Sequence, residues 1–195
     1  MIAKKGSVLS STRKNRLGET EVIDLKSIIR NVPDFPKKGI MFRDITTLVN
    51  DGNAFRQVVD DFARLYGNTG VTKVVGIESR GFIFGAPLAE RLGCGFVPVR
   101  KPGKLPAKVI TQEYSLEYGT DSVQVHTDAI AAGEKVVMID DLLATGGTMS
   151  AACKLVERLN GSILGVGFVV ELSFLHGRKK LDTYNVQSLV SYDSE

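Results

Sequence analysis

The stretch Val136–Thr148, VVMIDDLLATGGT, decides the fold because three structural signals follow one another within it. Its leading apolar residues, VVMI, predict a strand that is buried on both faces of a parallel sheet. Asp140 and Asp141 come next, at the point where we expect this strand to emerge from the sheet. A turn of small and hydroxyl residues, ATGGT, then leads into a helical pattern over Met149–Leu159.

The composition of the turn is suited to anion binding. Small residues let backbone N–H groups approach a ligand closely, and the N-terminus of the following helix adds unpaired donors and a favourable dipole. We therefore expect a phosphate group to bind at this turn. The turn consists of Ala144, Thr145, Gly146, Gly147 and Thr148.

The two adjacent carboxylates indicate what lies beside that phosphate. Carboxylates repel phosphate, but they suit the vicinal hydroxyls of a sugar or a Mg²⁺ ion carried by the ligand. Asp140 and Asp141 therefore predict a ligand with a phosphate at one end and a ribose-like diol next to it. The alternative is a strand end whose acids are only solvated, followed by a glycine turn that caps a helix.

The whole stretch resembles the 5-phosphoribosyl-1-pyrophosphate (PRPP) binding motif of the type I phosphoribosyltransferases. Leu142–Thr148, LLATGGT, is similar in particular to the adenine phosphoribosyltransferase branch of that family. The resemblance covers roughly residues 20–192. It implies an α/β fold with a mostly parallel twisted sheet flanked by helices, a small hood at about residues 19–50 and a flexible lid at about residues 101–122.

A second strand-to-helix turn carries a cation. Val74–Ile77 predicts a buried strand, and Glu78, Ser79 and Arg80 lead from it into a helix predicted at about Ile83–Leu92. Ligands of open parallel sheets bind at the carboxyl ends of the strands. The resemblance assigns Ser79 and Arg80 to pyrophosphate, and an arginine suits that role because its guanidinium pairs bidentately with phosphate.

A basic segment, residues 100–108, follows the strand predicted at Gly95–Val99. It contains four cations, two prolines and a glycine, which predict an open loop. Beside two phosphate sites it is interpreted as a lid over an anionic substrate, and the alternative is an ordinary solvated loop. The cations assigned to PRPP are Arg100, Lys101 and Lys104.

The resemblance extends the lid through Val109–Val125. It assigns Glu117 to the handling of a purine proton and Tyr118 to bracing the closed lid. The alternative for Glu117 is a loop carboxylate exposed to water.

Val32–Thr46, VPDFPKKGIMFRDIT, contains two prolines and a glycine and predicts an ordered but irregular loop. It resembles the hood that covers the purine in adenine phosphoribosyltransferases, with Phe42 as a stacking surface. The alternative is that its phenylalanines only pin the loop onto the core. The residues that the resemblance places around adenine are Met41, Phe42, Arg43 and, from the far side, Leu172.

Hydrophobic periodicity predicts the remaining elements. Val22 and Leu65 are expected on the buried stripes of the two predicted helices. The helices are predicted at Glu21–Ile29 and Asn53–Tyr66, and the strands at Val123–His126, Ser162–Leu172 and Tyr184–Val190.

Charge and cysteine content narrow the class of protein. The net charge is +3, but five basic residues precede the first acid, so residues 17–195 carry 20 basic and 22 acidic side chains. This net charge of −2 argues against nucleic-acid binding. Cys94 and Cys153 have no metal-like spacing and predict a reducing compartment, hence a cytoplasmic protein. No apolar run approaches the roughly 20 residues that span a bilayer.

The N-terminus differs from the rest of the chain. Residues 1–18 are polar and basic and predict a disordered extension, with an organelle transit peptide as the alternative. We expect a single domain over residues 19–195.

The resemblance as a whole implies that the protein converts adenine and PRPP to AMP and pyrophosphate in purine salvage. It also implies a homodimer and a Mg²⁺ ion that is carried by PRPP. The transition state would resemble a ribosyl cation. Two alternatives are a phosphoribosyltransferase for another base and a non-catalytic regulator that binds PRPP. The residues assigned to catalysis are Arg80, Glu117, Asp140 and Asp141.

Overall fold

The computed structural model describes residues 13–14, 20–115 and 119–194. The strands are β1 (Arg13–Lys14), β2 (Thr20–Glu21), β3 (Arg30–Val32), β4 (Phe42–Asp44), β5 (Lys73–Ile77), β6 (Gly95–Val99), β7 (Val109–Ser115), β8 (Thr120–His126), β9 (Lys135–Leu143), β10 (Ser162–Leu172) and β11 (Val186–Tyr192). The α-helices are α1 (Leu25–Ile28), α2 (Thr46–Asn50), α3 (Gly52–Tyr66), α4 (Gly81–Leu92) and α5 (Gly147–Arg158), and two 3₁₀ turns cover Ser173–Leu175 and Gly177–Lys180.

The centre of the fold is a five-stranded sheet in the order β11-β10-β9-β5-β6. Every neighbouring pair in it is parallel. Since β5 and β9 lie side by side although they are distant in sequence, the two predicted ligand-binding turns leave the sheet at the same edge. The predicted α/β architecture, a mostly parallel sheet flanked by helices, is confirmed.

Strand β9 is buried on both faces, as its apolar run predicts. Val136 and Met138 belong to the core that includes α5. Val137 and Ile139 belong to the opposite core, which includes α3 and α4. Alternate residues of one strand therefore join two hydrophobic cores, which explains why its sequence shows no polar alternation.

Helix α3 covers one face of the sheet with the stripe expected from its three- and four-residue spacing. Its N-terminus is capped by the Asp51 carboxylate, which accepts hydrogen bonds from the N–H groups of Asn53 and Ala54 at 2.8 and 3.0 Å. Phe62 is fully buried, but Leu65, which we expected on the same stripe, is 44% exposed. Leu65 lies at the edge of the stripe, where the helix surface turns away from the sheet.

The N-terminal helix is shorter than predicted. It covers Leu25–Ile28, because Asp24 caps its first turn and Ile29 already has extended backbone angles. Leu25 and Ile29 are buried, whereas Val22, predicted on the buried stripe, precedes the helix and is 63% exposed.

The loop predicted at Val32–Thr46 contains more regular structure than expected. Its ends form an antiparallel pair, β3 with β4, in which Val32 lies opposite Phe42. The intervening residues form a turn in which the peptide bond between Phe35 and Pro36 is cis.

The other predicted elements are present with adjusted bounds. Strand β10 has the predicted limits, and β6 does as well. Helix α4 begins at Gly81, before the predicted start, and β8 begins at Thr120 and pairs with β7 in an antiparallel hairpin. The last strand begins at Val186 rather than Tyr184 and ends at Tyr192.

The predicted extension falls mostly on residues 1–12 and 15–19, which lie outside the described part of the chain, and stays a prediction, as does the single domain. Within the described residues, no helix combines the length and the apolar character needed to cross a bilayer.

Replacing Phe62 with alanine should destabilise the protein by about 3–5 kcal/mol, because a fully buried ring is removed and a cavity remains. The matched control is Leu65→Ala on the same helix, which should change the free energy of unfolding by less than about 0.5 kcal/mol. Urea unfolding measures both values. Equal losses of unfolding free energy in the two variants would contradict the position of the buried stripe on α3.

Candidate active site

The site lies where β9 extends past β5. Pairing of β9 with β5 ends at Ile139, whereas its pairing with β10 continues to Leu143. Asp140 and Asp141 are therefore still part of the strand, which loses β5 as a neighbour at these residues but stays paired with β10. One side of the strand is free of β5 at these residues, so both carboxylates lie at the rim of the sheet.

Asp141 is paired with Arg80 across this rim. Nε of Arg80 lies 2.8 Å from Oδ2 of Asp141. The Asp141 side chain is buried, and Arg80 remains partly exposed. Burial raises the pKa of Asp141, while the charge of Arg80 opposes that rise. Arg80, predicted to bind pyrophosphate, and Asp141, predicted to bind ribose, are thus in direct contact.

Asp140 lies against the start of α4. A Cβ atom on Gly81 would lie 2.8 Å from Oδ1 of Asp140 and 2.9 Å from the carbonyl oxygen of Ile139. Only a glycine at this position allows the helix to begin so close to β9. Burial first, and then the neighbouring Asp141, raise the pKa of Asp140 well above its ordinary value.

The ATGGT turn joins the same site. Gly146 has φ +75° and directly precedes α5, which begins at Gly147 without a side-chain cap. Within the described residues, no side chain caps the first N–H groups of α5, as an anion site at a helix N-terminus requires. A small cavity is lined by Asp140, Leu142, Leu143, Ala144, Thr145, Gly146, Gly147, Thr148, Met149 and Phe168. The predicted phosphate turn and one of the predicted ribose acids thus border one cavity.

The turn after β5 carries Ser79, which is exposed, and the peptide bond between Glu78 and Ser79 is cis. Glu78, to which no sequence motif assigns a role, connects two strand ends of the site. Its two carboxylate oxygens accept hydrogen bonds from Nε and Nη2 of Arg100, both at 3.1 Å, and from the N–H of Lys101 at 2.9 Å.

These hydrogen bonds, those of Arg100 first, lower the pKa of Glu78. The ends of β5 and β6 are tied together in this way, so Glu78 orients the start of the basic segment. In the sequence, the contact between Glu78 and Arg100 is indicated by an acid directly after one predicted strand and a cation directly after the next predicted strand.

The cations of the basic segment are less free than predicted. The Lys101 ammonium donates a hydrogen bond to the hydroxyl of Tyr114 at 2.9 Å and also contacts the carboxylate of Asp121. Arg100 is held by Glu78 and donates from Nη1 to the carbonyl of Lys104 at 3.2 Å. Lys104 itself is exposed. Lys101 is therefore bound to the β7–β8 hairpin in this structure.

The hairpin lies next to the phosphate turn. A Cβ atom on Gly147 would lie 3.4 Å from Cδ2 of Tyr114 and 3.7 Å from the carbonyl oxygen of Ser115. Nη1 of Arg158, at the end of α5, donates to the carbonyl of Thr111 at 2.7 Å. Glu117 and Tyr118 fall outside the described residues, and their roles stay predictions.

The predicted hood meets the site through Phe42. The Arg80 guanidinium lies 5.8 Å from the centre of the Phe42 ring. Phe35 packs edge-on against Phe42 with 5.0 Å between ring centres, and half of its own surface is exposed. Met41 is partly buried beside them.

Arg43 is held by the C-terminal strand. Its guanidinium lies 4.0 Å from the centre of the Tyr192 ring and donates hydrogen bonds to Asn31 and to the carbonyl of Ser194. Tyr192 lies opposite Leu172 in the sheet. The structure thus links the hood to Leu172 through a tyrosine that no motif in the sequence singled out.

The donor set fits a metal ion that arrives with a ligand. Among residues 13–14, 20–115 and 119–194, no group of three or more histidine, cysteine or acidic side chains could hold a metal. Mg²⁺ commonly binds through one or two carboxylates together with oxygens of the substrate. Asp140 and Asp141 offer such a partial set.

The arrangement combines an anion site, two carboxylates and a guanidinium along one sheet edge, with an aromatic hood beside them. It can hold a phosphate, a diol and a second anionic group in that order. The hood adds a surface for a flat, apolar-faced ring.

Comparison with known proteins identifies the family of the chain. The phosphoribosyl transferase domain family matches residues 46–193. The adenine phosphoribosyltransferase of Acaryochloris marina is 57% identical over 170 residues, which cover 87% of this chain and 100% of the relative.

Two solved structures have the same fold. The adenine phosphoribosyltransferase of Thermoanaerobacter pseudethanolicus has a TM-score of 0.84 at 53% identity, covering 87% of this chain and 98% of that chain. The Saccharomyces cerevisiae enzyme, complexed with D-2,5-dideoxy-2,5-imino-altritol 1,6-bisphosphate and adenine, has a TM-score of 0.81 at 42% identity, covering 85% and 96%. The chain therefore belongs to the phosphoribosyltransferase family, in its adenine phosphoribosyltransferase branch.

Proposed function

We propose that the protein transfers the phosphoribosyl group of PRPP to adenine, forming AMP and pyrophosphate in purine salvage. The observation that carries this proposal is the contact between Arg80 and Asp141 beside the phosphate turn. It places a group suited to pyrophosphate against a group suited to ribose, and the neighbouring Asp140 borders the cavity of the phosphate turn, so the three groups follow the order in which PRPP carries its parts. The adenine bound to the yeast relative supports the choice of base.

The ribose 5-phosphate part of PRPP binds along β9. The 5′-phosphate accepts hydrogen bonds from the turn Ala144–Thr148 and from the first N–H groups of α5. Asp140 and Asp141 accept hydrogen bonds from the ribose hydroxyls. Because both acids lie at the rim of the sheet, the ribose is held with its reacting carbon towards Arg80 and the hood.

Pyrophosphate binds at the ends of β5 and β6. Arg80 has donors beyond the one paired with Asp141, so it can contact both the ribose acid and a phosphate. Ser79 follows β5, and Arg100, Lys101 and Lys104 follow β6, so these residues are proposed to contact pyrophosphate. Tyr118, outside the described residues, is a further proposed contact. Since Lys101 is bonded to Tyr114 and Asp121 here, the hairpin must release its ammonium before Lys101 can bind pyrophosphate.

Adenine binds under the hood. Phe42 stacks on the ring, the backbone at Met41 and Arg43 contacts its edge, and Leu172 packs from the far side. In the reaction the C1–O bond to pyrophosphate breaks, a ring nitrogen of adenine bonds to that carbon, and Glu117 takes up the proton that adenine loses.

Catalysis on this scheme depends on position and charge. The ribosyl group gains positive charge as the C1–O bond breaks, and Asp140 and Asp141 stabilise that charge. Arg80 and the lysines of the lid stabilise the charge on the departing pyrophosphate. The closed lid keeps out water, which would otherwise attack the ribosyl carbon.

Mg²⁺ carried by PRPP would neutralise part of the charge of pyrophosphate when bound. Asp140 and Asp141 are the residues that would face it. Each carboxylate would bind Mg²⁺ only in its ionised form, and burial raises the pKa of both aspartates.

Two further expectations belong to this proposal. The first is a homodimer, which sedimentation at several protein concentrations would test. The second is a cytoplasmic location, supported by the free thiols of Cys94 and Cys153.

Incubation with PRPP, Mg²⁺ and each of adenine, hypoxanthine, guanine and xanthine should yield AMP alone. The hood presents fixed backbone groups to one purine edge, so a 6-oxopurine presents mismatched donors and acceptors. Product formation is followed by chromatography, with and without a chelator, and chelation should abolish it.

A nucleotide formed from a 6-oxopurine would retain the PRPP site but contradict the choice of base. Tight PRPP binding without any product would instead favour a non-catalytic regulator.

Replacing Asp141 with asparagine should lower kcat by roughly 10²–10³-fold, because a group aimed at developing charge is lost. The fold should persist, since asparagine has nearly the same shape. Steady-state kinetics and thermal unfolding are measured beside Asp128→Asn, an exposed acid in the turn after β8 whose kcat should not change. A near-normal rate for Asp141→Asn would contradict its role.

A further inference from the structure

The segment after β10, which contains the 3₁₀ turn Gly177–Lys180, packs against the phosphate turn. A Cβ atom on Gly146 would lie 2.5 Å from the carbonyl oxygen of Gly177. A Cβ atom on Gly177 would collide with the carbonyl oxygen of Ala144 and lie 2.8 Å from Cδ1 of Leu143. Two backbones this close leave no room for a side chain, so the segment and the turn support each other.

The same segment brings a lysine to the start of α5. Nζ of Lys180 lies 3.8 Å from the point that a Cβ atom on Gly147 would occupy. Lys180 is exposed, and none of the described residues forms an ion pair or hydrogen bond with its ammonium. As far as the structure describes the chain, a cation without a partner therefore lies beside N–H groups of the helix N-terminus that no side chain caps.

Arg178 attaches the segment to the sheet. Its Nε and Nη2 donate hydrogen bonds to the two carboxylate oxygens of Glu171 at 2.7 and 2.6 Å, and Nη1 donates to the carbonyl of Val186 at 2.9 Å. Glu171 is buried at the end of β10. The hydrogen bonds from Arg178 lower the pKa of Glu171, so the pair stays charged.

We propose that Lys180 binds the 5′-phosphate of PRPP and that the Glu171–Arg178 ion pair holds Lys180 beside the phosphate turn. The inference rests on the proposed function, since it assigns a further residue to the same phosphate. Backbone N–H groups supply direction but no net charge. A lysine ammonium supplies a compact point charge that a phosphate needs when it leaves water.

The test compares Lys180→Ala with Lys154→Ala, which removes an exposed lysine farther along α5. Ribose 5-phosphate and PRPP with Mg²⁺ are titrated in the absence of adenine, by calorimetry on the full chain. Lys180→Ala should raise both Kd values roughly tenfold, the effect expected for a lost charged hydrogen bond. Lys154→Ala should leave them unchanged, and high salt should reduce the difference between wild type and Lys180→Ala.

Unchanged binding of ribose 5-phosphate by Lys180→Ala would overturn the assignment of Lys180. Failure of the wild-type protein to bind either probe would instead overturn the proposed function. The two failures are therefore distinguishable.

The role of the ion pair is tested with Arg178→Gln and a matched variant, Arg91→Gln. Arg91 pairs with the buried Asp60, and the side-chain exposures of the two pairs are similar, 49% and 7% against 55% and 8%. Both variants should lower the unfolding temperature, but only Arg178→Gln should weaken binding of ribose 5-phosphate. If Arg178→Gln and Arg91→Gln bound ribose 5-phosphate with equal affinity, the Glu171–Arg178 pair would have only a structural role.

The double variant Lys180→Ala, Arg178→Gln connects the two assignments. If Arg178 acts by placing Lys180, the double variant should bind ribose 5-phosphate about as weakly as Lys180→Ala alone, since coupled residues are not additive. Fully additive losses would show that Arg178 acts on the phosphate turn independently of Lys180.

Discussion

The ion pair between Arg80 and Asp141 is the contact on which the site depends. It bridges the turn after β5 and the end of β9, where β9 has lost β5 as a neighbour. A buried carboxylate without a partner is costly, so Arg80 must stay near Asp141. This requirement fixes the distance between the groups proposed for ribose and for pyrophosphate.

Close backbone approach sets the rest of the geometry. Gly81 lets α4 begin against β9, and Gly146 and Gly177 let the phosphate turn lie on the segment after β10. A side chain at any of these positions would push two elements apart. The site therefore depends on empty space at glycines as much as on its charged groups, because a shift of about 1 Å is enough to impair positioning.

The cations of the basic segment are already paired with side chains of the protein. Lys101 is bonded to Tyr114 and Asp121, and Arg100 is bonded to Glu78. These contacts satisfy hydrogen-bond donors of both cations. On the proposed function, PRPP exchanges these partners for phosphate oxygens, and the exchange couples substrate binding to the position of the hairpin.

The sequence by itself determined the strands of the central sheet and the helices α3, α4 and α5 to within a few residues, the apolar β9, the acid pair and the phosphate turn. Each of these follows from residues that are neighbours along the chain, whose spacing dictates local backbone structure. Only the tertiary structure decided which charges pair, that β9 continues through its acids, and that Tyr192 supports Arg43. Those contacts join residues far apart in sequence, and they exist because the order β10-β9-β5 brings separate strand ends to one edge.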